Sequence, residues 1–532
     1  MKKTILKIAA LFLLFFCSSH LTAAQQSVQS LNTNERIRTE AADNSQIMRT
    51  LHYLSDVYGA RLTGSPNYKA AADWTIKQMK DWGFDNVHLE PWSFGHSGWR
   101  NERASGFIIA PGKDNLTFEV LSWTPGTNGL VRGQAFQLIL PEKPTQAELT
   151  NYFNGIKNQI AGKIILVGKP AVIPVNFDPP VKRLDDEELR QTLFPNQTPA
   201  PVPTPAPNVS SSPNQGQLTA WQISEQLNKF LLDNKAAVRL NDAGRSFGQI
   251  RAFNNPTFDI NRVVPTMVLR NEDFRRITRL LADNTPVLLE FDVRNRVFPE
   301  GKISFNVVGE ITGTDKKDEV IMIGAHLDSW HAATGVTDNA VGCAMMMEAA
   351  RIIKALGLKP RRTIRVALWS GEEQGLLGSQ AYVKEHFGTA ENPTAEFAKF
   401  GGYFNIVSGT GRARGMWIFG PPDSAAILSE IIKPFSDLGV VGALNFDSRQ
   451  LGGSDNSSFS RAGLPGIRII QDPIEYGSHT WHTNLDTYER IIEKDAKDAA
   501  VVIAGTVYQL AMQDELLPRF KTEEMPKLPV EP

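Results

Sequence analysis

EVIMIGA (Glu319–Ala325) and TIRVALWS (Thr363–Ser370) are two short apolar runs rich in β-branched residues, and the stretch between them has a helical period. Each run has the length and composition of a buried strand. Gly357 closes the helical pattern, whose apolar residues fall on one face: Val341, Met345, Ala349, Ile352, Ile353 and Leu356. A strand, a helix and a strand in this order predict two parallel strands joined by a crossover.

Similar strand and helix patterns continue on both sides of this unit. Further strands are predicted at Ile303–Ile311 (ISFNVVGEI), Gly401–Val407 (GGYFNIV) and Pro465–Ile470 (PGIRII), and a covering helix at Lys494–Leu516. Nearer the N-terminus, helical patterns end at Gly59 and Gly83, and a short strand follows at Asn86–Trp92. The fold class predicted is α/β, with a mixed, mostly parallel sheet flanked by helices.

Acid and imidazole side chains follow the predicted strands. His326 comes just after the first run, Glu372 and Glu373 come just after the next, Asp338 precedes the helix, and His482 lies in the loop beyond Ile470. Open α/β sheets bind ligands at the carboxyl edge of their parallel strands. Imidazole nitrogen and carboxylate oxygen are ligands that zinc accepts, with one position left open in catalytic sites. We therefore expect a zinc site there.

The neighbouring glutamates predict two different roles, because adjacent side chains in an extended segment point to different sides. One is expected to bind the ion while the other takes a proton from the activated water, which is the chemistry of amide hydrolysis. Asp328 is expected to accept a hydrogen bond from the second nitrogen of His326. Each residue also has a plainer interpretation: Asp338 as a helix cap, the glutamates as solvated charges, and the HxD turn as a surface loop.

Composition and length describe an exported, multi-domain globular protein. The 532 residues exceed one ordinary core, and 56 basic against 57 acidic residues leave no charge pattern suited to nucleic acid. The N-terminus has the basic, apolar and small-residue regions of a cleaved signal peptide, with lipoprotein processing at Cys17 as the alternative. After its removal only Cys343 remains, so no intrachain disulfide can form. We expect a periplasmic or secreted protein without a membrane span.

The predicted domain organisation is an interrupted catalytic domain. Its parts are a signal peptide at 1–24, the first part of the catalytic domain at 25–118, an inserted β-rich domain at 119–288 with a Pro-rich loop at 198–216, the second part of the catalytic domain at 289–520, and a tail at 521–532.

These motifs resemble the zinc-dependent exopeptidases of the bacterial leucyl aminopeptidase, aminopeptidase Y and carboxypeptidase Q type. The resemblance covers RLTGSPNYKAA, GAHLDSW, TDNAVG, SGEEQGLLGS, GGSDNSSF and HTNLD, and the region around KIILVG is similar to a protease-associated domain. The resemblance implies the following roles: His326 binds one zinc, Asp338 bridges, Glu373 and His482 bind the other zinc, Glu372 is the general base, and Tyr476 stabilises the oxyanion. It also implies a cis peptide bond after Asp338.

One departure from the family pattern concerns the first zinc. The family usually reads FNLDNGTG where this chain reads FNIVSGTG, so Val407 stands in place of an aspartate ligand. An isopropyl group cannot coordinate. We therefore expect one tightly bound zinc and a weakened second site, with Asn405 as a substitute oxygen donor on the same face of the strand.

Three functions remain open from the sequence. The first is an exported exopeptidase that hydrolyses terminal bonds of short peptides. The second is a single-zinc acyl-transfer enzyme like the glutaminyl cyclases, which share this fold and a similar ligand set. The third is a catalytically impaired relative that binds peptides, for which Val407 is the support. Some relatives are dimers, so a homodimer is an expectation, whereas the choice between amino and carboxyl termini depends on the walls of the cleft.

Overall fold

The structure is a computed structural model that describes residues 32–177, 180, 182–193 and 216–528. The predicted signal peptide at 1–24 and all but the last residue of the Pro-rich loop at 198–216 lie outside these residues. No helix within the described ranges is long and apolar enough to cross a membrane.

A large mixed sheet forms the centre of the chain and carries the predicted strands. Within the described residues it has eight strands, in the spatial order Asp85–Ser93, Ile303–Ile311, Arg362–Trp369, Lys316–His326, Phe400–Asn405, Gly466–Gln471, Ala413–Phe419 and Ala443–Phe446. Four of the seven neighbouring pairs are parallel, including Lys316–His326 with Arg362–Trp369. The predicted α/β class and the parallel pair are thus confirmed.

Helices cover both faces of the central sheet. They are residues 32–43, Ile47–Leu51, Pro66–Asp81, Val341–Ala355, Leu377–His386, Pro422–Ile432, Asn456–Ala462 and Glu493–Met512. The most buried of them is Val341–Ala355, where every residue from Val341 to Ile353 is buried between the sheet and Glu493–Met512. Because this helix is buried on all sides, with the buried Glu348 and Arg351 paired to each other, it is a core element rather than a surface helix.

The ends of Pro66–Asp81 illustrate why the elements begin and stop where they do. Ser65 accepts a hydrogen bond from the backbone N–H of Tyr68, and Pro66 occupies the first helical position, where a missing N–H costs nothing. Gly83 follows the helix with a φ of +78°, a conformation that glycine adopts without steric cost.

A second sheet is built from the residues between the first and second strands of the central sheet. In the described residues its spatial order is Asp114–Asn115, Gly98–Ala110, Leu288–Phe298, Val131–Leu138, Ile164–Val167, Val238–Asp242, Thr266–Leu269 and Phe118–Val120. Its helices are Gln146–Ile156, Asp186–Leu193, Ala220–Asp233 and Asn271–Ala282. The long antiparallel pair of Gly98–Ala110 with Leu288–Phe298 runs outside the predicted insert at 119–288. The domain boundaries and the protease-associated assignment remain predictions.

Candidate active site

Four side chains meet at the carboxyl edge of the central sheet. His326 ends its strand, and Glu373 follows the neighbouring strand that ends at Trp369. His326 Nε2 lies 3.2 Å from Asp338 Oδ1, and His482 Nε2 lies 3.1 Å from Asp338 Oδ2 and 3.0 Å from Glu373 Oε2. Asp338 is thus the shared member, with one carboxylate oxygen facing each histidine.

The spacing of these atoms suits zinc. Zinc bonds to nitrogen and oxygen at about 2.0–2.2 Å, so two ligands of a tetrahedral ion lie about 3.3–3.5 Å apart. One ligand atom each from His326, Asp338 and Glu373 lies within 4.8 Å of the other two, the only such group of three or more in the described part of the chain. Within the same residues His326 Nε2, Asp338 Oδ2 and Glu373 Oε1 are buried without a hydrogen bond. Buried polar atoms are nearly always satisfied, so these atoms fit a bound cation.

The charges within the cluster shift the pKa values of its side chains. Burial alone would lower the pKa of His482, but the Glu373 and Asp338 carboxylates raise that pKa to about 10. Burial and the charge of Asp338 raise the pKa of Glu373 to about 8. Protons therefore compensate the buried carboxylates, and metal binding to such ligands releases protons.

His326 is fixed in orientation by the backbone. Its Nδ1 lies 2.9 Å from the main-chain carbonyl oxygen of Asp328, whereas the nearer carboxylate oxygen of Asp328 is 3.8 Å away. The expected hydrogen bond from the second imidazole nitrogen is therefore present, but the peptide oxygen accepts it. The Asp328 carboxylate accepts instead from the hydroxyl of Thr63 and the backbone N–H groups of Glu372 and Glu373. Asp328 thus positions both glutamates.

Asp338 sits in a tight turn that its neighbours hold. The carboxylate of Asp486 accepts hydrogen bonds from the backbone N–H groups of Thr337 and Asp338, at 2.6 and 3.0 Å. The peptide bond between Asp338 and Asn339 is cis, as the resemblance implied. The helix that begins at Val341 is capped by Asn339, whose Oδ1 accepts from the N–H of Gly342. The plain capping role therefore belongs to Asn339 and leaves the Asp338 carboxylate free to face the histidines.

Aromatic side chains pack against the ring of His482. Its φ of +61° is unusual for a residue with a side chain, and such backbone conformations cluster at functional sites. The rings of Phe253 and Trp330 approach it edge-on at 5.3 and 6.4 Å, and Trp481 lies 4.2 Å away. Phe253 belongs to the segment that carries the second sheet, so that segment forms one side of the site.

Two further predicted residues lie beside the cluster. Glu372 Oε2 is 4.0 Å from His326 Nε2, a longer separation than the 3.0–3.2 Å contacts among the four ligand side chains. Burial, together with the charges of Asp338 and Glu373, raises the pKa of Tyr476 well above its usual range. The phenol therefore stays protonated and able to donate a hydrogen bond next to the ligands.

Asp455 is a residue whose role the sequence did not reveal, although its motif, GGSDNSSF, was recognised. Its carboxylate is fully buried, and neither oxygen has a hydrogen-bond partner within the described residues. Burial and the charge of Glu372 raise the pKa of Asp455 well above its ordinary value. The Asp455 carboxylate is therefore close enough to interact with the charge of Glu372, but it is not one of the four ligands.

The backbone next to Val407, which stands in place of the usual aspartate, contacts the turn that carries Asp338. Val407 follows Ile406, whose carbonyl oxygen accepts a 2.8 Å hydrogen bond from Asn339, the residue after Asp338. The prediction that Asn405 substitutes as an oxygen donor is wrong. Its Oδ1 accepts from the hydroxyl of Tyr403, and its amide donates to Ser454, so both ends of the side chain are engaged away from the histidines.

Arg61, which lies in the RLTGSPNYKAA motif, holds the loops under the site. It is fully buried, and its guanidinium donates to five backbone carbonyl oxygens, those of Leu54, Gly59, Leu327, Thr334 and Gly335. Two of these carbonyls flank the turn that leads into Asp338, and Leu327 follows His326. Arg61 therefore ties the two ligand-bearing loops together.

We expect the Arg61→Met substitution to lower the free energy of unfolding by about 3 kcal/mol or more, because it leaves several buried carbonyl oxygens without a donor. Urea unfolding of the variant and the wild type measures the change. The matched control is Arg262→Met, which removes an exposed ion pair with Glu225 and should cost less than about 1 kcal/mol. Equal losses in both variants would contradict the assigned role.

Comparisons with known proteins agree with this geometry. The model of peptidase family M28 matches residues 306–507, which include all four proposed ligands. Carboxypeptidase Q of Xenopus laevis is 25% identical over 545 aligned residues, covering 98% of this chain and 100% of that protein.

Two solved structures share the fold. The peptidase M28 precursor from Shewanella amazonensis SB2B aligns with a TM-score of 0.63 at 23% identity, and the alignment covers 94% of this chain and 99% of the precursor chain. BSAP, a zinc aminopeptidase from Bacillus subtilis, aligns with a TM-score of 0.54 at 18% identity, and the alignment covers 90% of this chain and 98% of the BSAP chain.

The metal-ligand cluster at the edge of a mixed α/β sheet, taken with these matches, defines a zinc metallopeptidase. Residues 306–507 match peptidase family M28, and nearly the whole chain is similar to carboxypeptidase Q.

Proposed function

We propose that this protein is an exported exopeptidase that hydrolyses the terminal peptide bonds of short peptides, with Glu372 as the general base. The observation that carries the proposal is that His482 Nε2 lies 3.1 Å from Asp338 Oδ2 and 3.0 Å from Glu373 Oε2, close to one edge of a zinc tetrahedron. A zinc ion held by these residues would supply a water molecule acidified towards neutral pH and a polarised carbonyl.

The other side chains have roles that follow from their positions. Glu372 lies beside the ligands without joining them, so it takes the proton from the attacking water and passes it to the leaving amine. Asp328 holds the backbone of both glutamates and so keeps the base and the ligand apart. Tyr476 donates a hydrogen bond to the oxygen on which negative charge develops.

The number of zinc ions follows from Val407. His326 and Asp338 alone supply two protein ligands to a second ion, since Asn405 is engaged elsewhere. We therefore propose one tightly held zinc and a weak second site.

Relatives support the class of reaction. Those named carboxypeptidase Q and the structural neighbour named zinc aminopeptidase are both exopeptidases by name, although they act on opposite ends of a peptide. A periplasmic or secreted location and a homodimeric state accompany the proposal as predictions from the sequence.

The test is an assay of the zinc-loaded protein with a panel of dipeptides, scored by release of free amino acids. The proposal expects turnover that a chelator abolishes and zinc restores. Conversion of an N-terminal glutamine peptide to pyroglutamate, without dipeptide cleavage, would favour the acyl-transfer alternative. Binding of dipeptides without turnover would favour the impaired relative.

A further inference from the structure

Arg468 lies on the same face of the central sheet as the metal-ligand cluster. Gly324 pairs with Asn405, and Asn405 pairs with Arg468 on the next strand. His326 follows Gly324 by two residues and so shares its face. Two strand spacings and two residues along the strand place the Cα atoms of His326 and Arg468 about 12 Å apart. That distance is within reach of a short peptide bound at the cluster.

The charge of Arg468 has no counter-ion in the part of the chain that the structure describes. Within the described residues no carboxylate lies within 4 Å of its guanidinium, whose one hydrogen bond, from Nη2, goes to the hydroxyl of Ser408 at 3.2 Å. Nε is buried and has no partner in the same residues. Burial lowers the pKa of Arg468, which reflects the cost of holding this cation away from water. A hydrogen-bond donor that is shielded from water and unpaired is unfavourable, so an acceptor from a bound molecule would stabilise Arg468.

A second unfilled donor lies next to the guanidinium. Arg468 Cζ is 5.9 Å from the ring centre of Trp417, and Nε1 of Trp417 is buried without a partner in the described residues. Both groups only donate hydrogen bonds, so what they lack is an acceptor. An anion with two oxygens would satisfy both the charge and the donors.

Electrostatic contacts link this position to the site. The charge of Tyr476 affects the pKa of Arg468, and the charges of Asp338 and Glu373 affect the pKa of Tyr476, so Tyr476 is near both the cation and the ligands. The ring of Tyr476 packs on Gly409, which follows Ser408, the hydrogen-bond partner of Arg468. An anion bound at Arg468 would therefore belong to a molecule that also reaches the cluster.

We propose that Arg468 binds the free C-terminal carboxylate of the substrate, which makes the protein a carboxypeptidase or dipeptidase rather than an aminopeptidase. The inference rests on the proposed peptidase function and adds which end of the peptide is recognised. An acidic side chain of the substrate offers the same chemistry, so the experiment has an arm for each source.

Arg251 is the natural comparison, since it also interacts with Tyr476. Its guanidinium carbon lies 4.4 Å above the ring of Trp481, and its Nε donates to the carbonyl oxygen of the same residue. Arg251 therefore has a closer ring than Arg468 and an acceptor for its Nε, which Arg468 lacks among the described residues.

The experiment measures kcat/KM of the zinc-loaded wild type, Arg468→Met and Arg251→Met on Leu-Ala, Leu-Ala amide and Leu-Glu amide. The wild type should prefer Leu-Ala to both amides by about 10- to 100-fold, the effect of losing charge-assisted hydrogen bonds. Arg468→Met should lose this preference, and Arg251→Met should keep it. Urea unfolding provides a second measurement, in which Arg468→Met should be as stable as the wild type because it removes an unpaired cation.

Each of the other outcomes contradicts the inference, and one of them also contradicts the proposed function. A wild type that cleaves Leu-Ala amide as fast as Leu-Ala leaves the proposed function standing and overturns the inference. Equal preference for Leu-Ala and Leu-Glu amide assigns the cation to a side-chain carboxylate and also overturns it. Loss of preference only in Arg251→Met shows that Arg468 is not the anchor. An Arg468→Met variant less stable than the wild type shows that protein groups already satisfy the guanidinium, which removes the premise of the inference. Cleavage of none of the three substrates removes the proposed function and the inference with it.

Discussion

Replacing Glu372 with glutamine should lower kcat on dipeptides by about 10²- to 10⁴-fold, the range for removing a general base. Glutamine keeps the shape of the side chain but cannot take a proton. Because Glu372 lies farther from the cluster than the four ligand side chains lie from one another, the variant should keep the zinc content of the wild type. Steady-state kinetics and metal analysis of the same preparation provide the two readings.

Glu373→Gln is the matched control, since it makes the same chemical change one residue away. Glu373 Oε2 lies 3.0 Å from the nitrogen of His482 that faces the site, so this variant should lose zinc as well as activity. Loss of metal from Glu372→Gln with retention in Glu373→Gln would exchange the roles of the two residues.

The Val407→Asp substitution should raise the zinc content from about one to about two ions per chain. The new carboxylate would stand next to the Asn339–Ile406 hydrogen bond, beside the turn that carries Asp338, and complete a third ligand for the ion bound by His326. Since changes to outer-shell partners alone alter metal affinity by 10- to 100-fold, a direct ligand should strengthen the second site by at least about 100-fold. Zinc titration of metal-free protein measures both sites.

Val407→Asn is the control, because it has the size of aspartate without the charge and should leave the second site weak. Two tightly bound ions in the wild type would contradict the inferred loss. Dipeptide cleavage that appears only in Val407→Asp would show that the natural protein binds peptides without cleaving them.

The strands and their polar ends were predictable because their signals are local. The run Glu319–Ala325 has the length and β-branched composition of a buried strand, and the structure extends it only to Lys316–His326. The convergence of His326, Asp338, Glu373 and His482 followed from the rule that parallel strands end at one edge. Both inferences depended on short sequence motifs and not on contacts between distant segments.

The supporting contacts were not predictable, because they join distant segments through unremarkable residues. Arg61 holds carbonyl oxygens more than 260 residues away, and Phe253 reaches His482 from the segment of the second sheet. The error at Asn405 has the same origin. Strand alternation gave its face correctly, but its partners, Tyr403 and Ser454, depend on how that face is packed.

The central claim is that Asp338, Glu373 and His482 hold one ion. Zinc content per chain, measured on folded His482→Ala beside the wild type after dialysis against zinc-free buffer, tests it most directly. We expect about one ion in the wild type and close to none in the variant, because only two protein ligands would remain. Equal zinc in the two proteins would show that the ion is held somewhere else.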